Sequence, residues 1–179
     1  MNTNNTLSAH ATLCEWETID WSKINKYVKK LRQKIYSAEK LGKTRKARKL
    51  QRLMLISKAN LLLSIKQITQ INKGKRTAGI DGHRALKPKE RVSLFNNLMG
   101  KKVQLHKPKP AKRVYIKKKN GKLRPLGIPV IIDRIYQNIV KNALEPQWEY
   151  LFEPCSYGFR PGRRTHDAIE NIFLKMRST

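Results

Sequence analysis

The chain has 179 residues, of which 40 are Lys or Arg and 12 are Asp or Glu, so its formal net charge is +28. The length allows one compact domain or two small ones, and a hydrophobic fraction of 39% allows a modest core. No apolar run approaches the roughly 18 residues that span a bilayer, and two distant cysteines, Cys14 and Cys155, exclude disulfide frameworks and zinc fingers. A charge of this size predicts a polyanionic partner, for which nucleic acid fits best.

The positive charge is concentrated in two zones. Residues 21–76 contain eighteen Lys or Arg and one acid, Glu39, and residues 101–124 contain eleven more and no acid. Such clustering predicts a surface for nucleic acid. The polar N-terminus carries no secretory signal. We therefore expect a reducing compartment of the bacterial-cytoplasm type, with an organelle also compatible, and no membrane partner.

The first part of the chain is predicted to be helical. Residues 1–19 have the composition of a disordered leader. A helix is predicted to begin near Trp21 with Asp20 or Ser22 as its cap and to end before Gly42, and a second, longer helix is predicted over residues 44–72. The basic side of the second helix is expected to contact an RNA backbone, and it carries Arg45, Arg48, Lys49 and Arg52.

A Gly-rich loop over residues 77–82 follows the helices. It lacks the Gly-Lys-Ser/Thr of a nucleotide-binding Walker loop, so by itself it indicates only turns. A short helix over residues 89–99 and a linker with two prolines are predicted next.

A basic β-hairpin is the clearest local prediction. Residues 112–118 and 122–128 are expected to be its strands, and Asn120-Gly121 between them favours a two-residue type I′ turn. The segment carries seven cations that no acid balances, which predicts a nucleic-acid contact rather than an inert surface ribbon.

Two helices and a second Gly-rich loop complete the prediction. A helix is expected over residues 131–152, with Pro146 kinking or breaking it. Residues 156–163 form a basic loop with two aromatic residues, a combination suited to stacking on bases or riboses. A last helix is predicted over residues 165–176.

Three ordered blocks of the sequence carry a family resemblance. They are TAGIDG at residues 77–82, KLRPLGIP at residues 122–129 and SYGFRPGR at residues 156–163, and the second is followed by Asp133-Arg134. In this order and spacing they resemble the N-terminal and fingers motifs of the reverse transcriptases encoded by group II introns, also called maturases. The resemblance covers about residues 20–177.

The resemblance implies an α+β fold that is part of a right-hand polymerase and lacks the palm and thumb. Residues 20–100 would be a helical N-terminal extension and residues 101–179 the fingers. Lys118 and Arg124 would hold the triphosphate of an incoming nucleotide, as a fixed cation and a bidentate fork can. The positions implied along the template strand are Gly79, Asp81, Arg113, Arg160, Gly162 and Arg163. The implied partner is intron or template RNA, or an RNA–DNA hybrid.

The aspartates of this chain do not match the motifs that supply the catalytic carboxylates of the family. Polymerases hold two Mg²⁺ ions with carboxylates about 4 Å apart, and the family takes these from an Asp in the strand after the second fingers motif and from a later Tyr-Ala-Asp-Asp turn. The four aspartates of this chain, Asp20, Asp81, Asp133 and Asp167, match neither motif. We therefore expect no polymerisation by this chain alone, no cofactor in it, and Mg²⁺ only together with a palm.

Two other functions are compatible with the sequence. The chain could be a free-standing RNA-binding module that assembles with a separate palm-bearing chain or a ribonucleoprotein. It could also be a basic structural protein of the ribosomal type, in which case the resemblance would mislead.

Overall fold

The structure is a computed structural model that describes residues 15–177. These residues form six α-helices and one β-hairpin. The helices are α1 (Trp21–Lys40), α2 (Thr44–Ile56), α3 (Lys58–Lys66), α4 (Pro88–Leu98), α5 (Ile131–Leu151) and α6 (Thr165–Arg177), and the strands are β1 (Lys112–Lys117) and β2 (Leu123–Ile128). A π-helical turn (Gln67–Ile71) continues α3, and 3-10 turns lie at Lys73–Arg76 and Val103–Leu105. The fold is therefore α+β, as predicted.

Helix α1 confirms the prediction from its capping residues. The Asp20 carboxylate accepts a hydrogen bond from the Lys23 amide at 2.9 Å, which satisfies one of the free N–H groups of the first turn. At the other end, Gly42 adopts a φ of 65°, a conformation that glycine takes without strain. The apolar stripe between them is buried through Val28, Leu31 and Ile35.

The prediction of a single helix over residues 44–72 is wrong, because the helix is interrupted at Ser57. Ser57 has extended backbone angles (φ −69°, ψ 125°), and its side chain accepts from the Asn60 amide, which starts a new helix. The buried Asn60 amide group in turn donates to the Met54 carbonyl at 3.0 Å and to the Ile139 carbonyl at 3.2 Å. The break therefore depends on a tertiary contact with α5, which hydrophobic periodicity does not register.

One hydrophobic core joins the helices on both sides of the predicted boundary at residues 100 and 101. It combines Leu61 and Ile65 of α3 with Leu94 of α4 and Ile135 of α5. Most of the predicted leader, residues 1–19, lies outside the described residues, but its last part folds against this core. Trp16 is buried there. Helices α1 to α5 thus form a single body from which the hairpin extends.

The hairpin has the predicted strands but not the predicted turn. The strands pair antiparallel, from Lys112 opposite Ile128 to Lys117 opposite Leu123. The Gly121 amide donates to the Lys118 carbonyl at 3.0 Å, and the Lys118 amide donates to the Lys122 carbonyl at 2.8 Å. With Gly121 at a φ of 77°, this is a three-residue loop with a bulge. It needs one positive φ, whereas the predicted type I′ turn needs two.

Helix α5 extends from the base of the hairpin to the second Gly-rich loop. Pro146 is buried inside it and does not break it. Helix α6 follows the loop and buries none of its residues among the described part of the chain. Across residues 15–177 no helix combines the length and apolar character that crossing a membrane requires.

Candidate nucleic-acid interface

The two predicted triphosphate contacts lie on one face of the hairpin. Arg124 is opposite Ile116 in the register, and Lys118 extends the pairing by one residue through its bond to Lys122. Because side chains alternate along a strand, Lys118 and Arg124 project from the same face, on diagonal positions. Both are exposed, and neither forms an ion pair with a carboxylate in the described part of the chain. Their charge is therefore available to an anionic ligand.

The opposite face of the hairpin carries a second set of cations. Arg113 and Lys117 lie there on either side of Tyr115, whose side chain is 57% exposed. An exposed aromatic ring between two cations is suited to stacking on a base. Arg113 was predicted to lie along the template strand, and Tyr115 was not predicted to take part, although alternation in a strand places the two on the same face.

The predicted basic side of α2 is fully exposed. Helix α2 buries Ala47 and Met54 against the core. The four cations predicted to contact an RNA backbone all point away from the core and pair with no described carboxylate, and they are Arg45, Arg48, Lys49 and Arg52.

The first Gly-rich loop is anchored to the base of the hairpin. Gly79 is buried so closely against Val130 that a Cβ atom at position 79 would lie 2.7 Å from the Val130 Cα. The Asp81 carboxylate accepts from the His83 amide at 3.1 Å and shapes the turn. Both residues were predicted to lie along the template. Their contacts give them a part in shaping the loop, while a direct contact with RNA stays a prediction.

Arg134 holds this loop in place. Its guanidinium donates to the carbonyl oxygens of Pro129 at 2.9 Å, Gly74 at 3.2 Å and Thr77 at 2.8 Å. Burial lowers the pKa of Arg134, and the nearby charge of Asp81 opposes that shift. In the sequence, Arg134 was noted only as part of a motif, and no separate role was predicted for it. A role for it could not be found from sequence, because its acceptors are backbone atoms up to sixty residues away.

The second Gly-rich loop is held from inside by Arg160. This side chain is 8% exposed and pairs with Glu149 of α5, with Nη2 and Oε1 2.7 Å apart. It also donates to the carbonyl oxygens of Glu153 and Ser156, each at 2.8 Å. The bond to Glu149 raises the pKa of Arg160, against the lowering effect of its desolvation. Arg160 was predicted to contact the template, but its donors are occupied internally, so it positions the loop.

The surface of that loop is formed by its other residues. Arg163 donates to the Pro154 carbonyl at 2.6 Å and lies over the Tyr157 ring at 5.3 Å. Gly162 has a φ of 71°, and Phe159 has a φ of 59° with its side chain fully exposed. A left-handed backbone is unfavourable for phenylalanine. The rigid loop therefore presents Phe159 to the outside at some cost in backbone strain.

The aspartates of the described residues take part in separate contacts. Asp133 is buried and bound to His106 and to the Lys109 amide, the latter at 3.0 Å. Asp167 accepts from the Arg164 amide at 2.7 Å. Within residues 15–177 no three potential metal ligands lie together. Several of the acids have structural partners: Asp20 caps α1, Asp81 shapes a turn and Glu149 pairs with Arg160.

Comparison with known proteins assigns two family models to the chain. The N-terminal domain of reverse transcriptase matches residues 16–98, and the reverse transcriptase (RNA-dependent DNA polymerase) model matches residues 116–179.

The chain is also similar to individual proteins. The protein YkfC of Escherichia coli is 41% identical over 131 residues, which are 72% of this chain and 34% of that protein. The group II intron-encoded protein LtrA of Lactococcus lactis is 40% identical over 107 residues, or 56% of this chain and 17% of that protein. The maturase-like protein 1 of Euglena gracilis is 30% identical over 156 residues, or 87% and 34%. The chain thus spans about a third or less of the length of these relatives.

Proposed function

Because this chain belongs to the reverse transcriptases of group II introns, as their N-terminal and fingers region, we propose that it holds RNA and an incoming nucleotide without forming the new bond. The observation that carries this proposal is the hairpin. Lys118 and Arg124 share one of its faces, and no described acid neutralises them. A point charge and a planar fork side by side can hold the oxygens of a triphosphate.

The RNA itself would lie along the exposed cations. The basic side of α2, with Arg45 and Arg48, offers phosphate contacts independent of sequence. The hairpin face with Arg113 and the loop surface with Arg163 add contacts nearer the nucleotide. Intron RNA, template RNA or an RNA–DNA hybrid would satisfy the same chemistry, and a reducing cytoplasm is the expected setting.

Bond formation would come from a palm. This part of the proposal is supported by the four aspartates, each of which accepts a hydrogen bond or forms an ion pair within the fold, as Asp20 and Asp133 illustrate, whereas a polymerase holds two metal ions between carboxylates about 4 Å apart. A primer-extension assay with Mg²⁺ and deoxynucleotides should yield no product from the 179-residue chain. Reproducible complementary DNA would refute this part of the proposal.

A second candidate function is a module that assembles with a separate palm-bearing chain. It is favoured by the apolar surface at the end of the molecule, where Trp148 and Leu151 of α5 and Ile172 and Phe173 of α6 are half or more exposed. Such a surface is typical of a protein interface. A palm-bearing chain that restores primer extension when mixed with this one would establish that function.

RNA binding is tested by its dependence on salt. Each phosphate neutralised by Lys or Arg releases counterions, so affinity for RNA should fall steeply between 50 and 200 mM salt, by on the order of a hundredfold or more. Fluorescence anisotropy with a labelled structured RNA measures this. Affinity that does not change with salt would refute the phosphate contacts.

A further inference from the structure

A groove on the helical body lies outside the surfaces assigned above. It has a volume of about 870 Å³ and runs between α1, the π-helical turn and α5. Neither the hairpin nor α2 contributes to its lining. It is large enough to accept several groups of a polymeric ligand.

The basic side chains that line the groove favour an anionic ligand. Among the described residues that line it are five cations and no carboxylate; the cations are Lys29, Arg32, Lys66, Arg134 and Lys141. Arg134 is already engaged by three backbone carbonyls, and the Lys66 ammonium lies 4.0 Å from the centre of the Trp21 ring, so these two contribute mainly their charge. Glu145 lies beside the groove and pairs with Arg32 and Lys141, so it offsets only part of this charge. Lys29 is exposed and pairs with no described carboxylate.

Amide side chains between the cations are fixed by buried partners. The Asn138 amide group donates to the Ser64 hydroxyl at 3.0 Å, and the Asn142 amide group donates to Asn60 Oδ1 at 2.8 Å. Ser64 and Asn60 are fully buried. Because their amide nitrogens are engaged, Asn138 and Asn142 keep their carbonyl oxygens as acceptors. Gln137 is exposed beside them.

The backbone of the groove is also unusual. The π-helical turn Gln67–Ile71 supplies part of its wall. π-Helical segments are rare and occur often at functional sites. No aromatic residue lines the groove, so base stacking is not its means of recognition.

We propose that this groove binds the ribose-phosphate backbone of RNA, with the cations on phosphates and the amide oxygens accepting hydrogen bonds from 2′-hydroxyl groups. The inference rests on the proposed RNA-binding function and adds a site and a selectivity to it. Since DNA lacks the 2′-hydroxyl, the groove should favour RNA over DNA. The cations alone would hold both polymers.

The test compares two matched ligands, a duplex RNA hairpin and the DNA hairpin of the same sequence, by fluorescence anisotropy at one salt concentration. Gln137→Met and Asn138→Ala together remove amide groups and keep every charge. They should weaken RNA binding about three- to tenfold and leave DNA binding unchanged. Gln137→Met alone, at an exposed position, serves if the double variant is unstable.

A charge variant completes the design. Lys29→Gln should weaken binding of both hairpins and lower the salt dependence by about one ion, whereas Lys34→Gln, an exposed residue of α1 outside the groove lining, should have less effect. Equal loss of RNA and DNA binding in the amide variants, or groove variants indistinguishable from Lys34→Gln, would overturn the groove site. The proposed function would survive that result, because it is tested separately by the binding of RNA to the unmodified chain and by the salt dependence of that binding.

Discussion

The guanidinium of Arg134 donates to the carbonyl oxygen of Thr77 at 2.8 Å, although the two residues are fifty-seven positions apart in sequence. The same side chain holds the carbonyl of Pro129, where the hairpin meets α5. One residue therefore connects the first Gly-rich loop to the base of the hairpin that carries Lys118 and Arg124. We expect the position of the proposed template loop to depend on the position of the proposed nucleotide site.

Replacing Arg134 should loosen the loop before it unfolds the chain. Arg134→Ala removes three hydrogen bonds to backbone carbonyls, and we expect the free energy of unfolding to fall by about 1–3 kcal/mol. Hydrogen exchange should become faster over residues 77–82. Arg134→Lys should restore part of the protection, because an ammonium group reaches fewer of the acceptors. Unchanged exchange in the loop would contradict the connection.

Gly79 offers a test of packing with an internal control. Gly79→Ala places a methyl group 2.7 Å from the Val130 Cα, so the loop must move, and we expect a loss of about 1–3 kcal/mol of stability. Gly74→Ala adds the same atom where nothing lies within 4 Å and should change stability by less than about 0.5 kcal/mol. Urea denaturation compares the two. Equal losses of stability in the two variants would show that the contact of Gly79 with Val130 does not restrict the side chain at position 79.

Arg160 should behave as a structural residue. Arg160→Ala leaves Glu149 without its partner and frees two backbone carbonyls. We expect the free energy of unfolding to fall, because a charge that loses its partner inside the fold is destabilising. Arg163→Ala, which loses one carbonyl bond and an exposed ring contact, should cost less than Arg160→Ala. If Arg160→Ala kept full stability and only weakened RNA binding, the original prediction of a template contact would hold instead.

Part of the loss of folding stability at acid pH can be attributed to Glu90, which caps α4. Glu90 accepts from the Lys87 amide at 2.8 Å at the start of α4, and this bond lowers the pKa of Glu90. A carboxyl group with a lowered folded-state pKa stabilises the fold above its unfolded pKa, and that contribution is lost as the pH falls through the folded value. Glu90→Gln should therefore reduce the loss of stability between pH 6 and pH 3. Identical pH profiles of the two proteins would contradict this.

Local signals predicted much of the fold, and the errors have both local and tertiary causes. The turn of the hairpin is a local error, because Asn120-Gly121 also fits a three-residue loop with one positive φ. The cap at Asp20, the stop at Gly42 and the alternation of the hairpin depend on neighbours in sequence, so periodicity and turn chemistry found them. The break at Ser57 depends on the Ile139 carbonyl, which accepts from Asn60.

The candidate site shows how far the orientation of its side chains could be predicted from the sequence. The face shared by Lys118 and Arg124 depends on the three-residue loop, which pairs Lys117 with Leu123. The predicted two-residue turn would have shifted this register by one residue and put Lys118 and Arg124 on opposite faces, so their arrangement could not be predicted. The inward position of Arg160 depends on Glu149 of α5, a preceding element. A basic residue in a loop next to glycines gives no signal of which way it points, so its burial could not be predicted.

The nucleotide site predicts a difference between the two faces of the hairpin. Arg124→Gln should weaken binding of a deoxynucleoside triphosphate about tenfold or more, since charge-assisted hydrogen bonds are lost. Lys117→Gln removes one charge from the opposite face and should change the affinity far less. Equilibrium dialysis with a labelled triphosphate measures both. Equal losses would indicate general charge attraction and no defined site.

The central claim, that this chain holds RNA by its exposed cations, is tested most directly by the salt dependence of RNA binding in a variant of α2. Changing Arg45, Arg48, Lys49 and Arg52 to Gln removes four exposed charges and leaves the buried side of the helix intact. A plot of log affinity against log salt should become less steep by about 3, given roughly 0.7 per phosphate contact. A slope identical to that of the unmodified chain would contradict the claim.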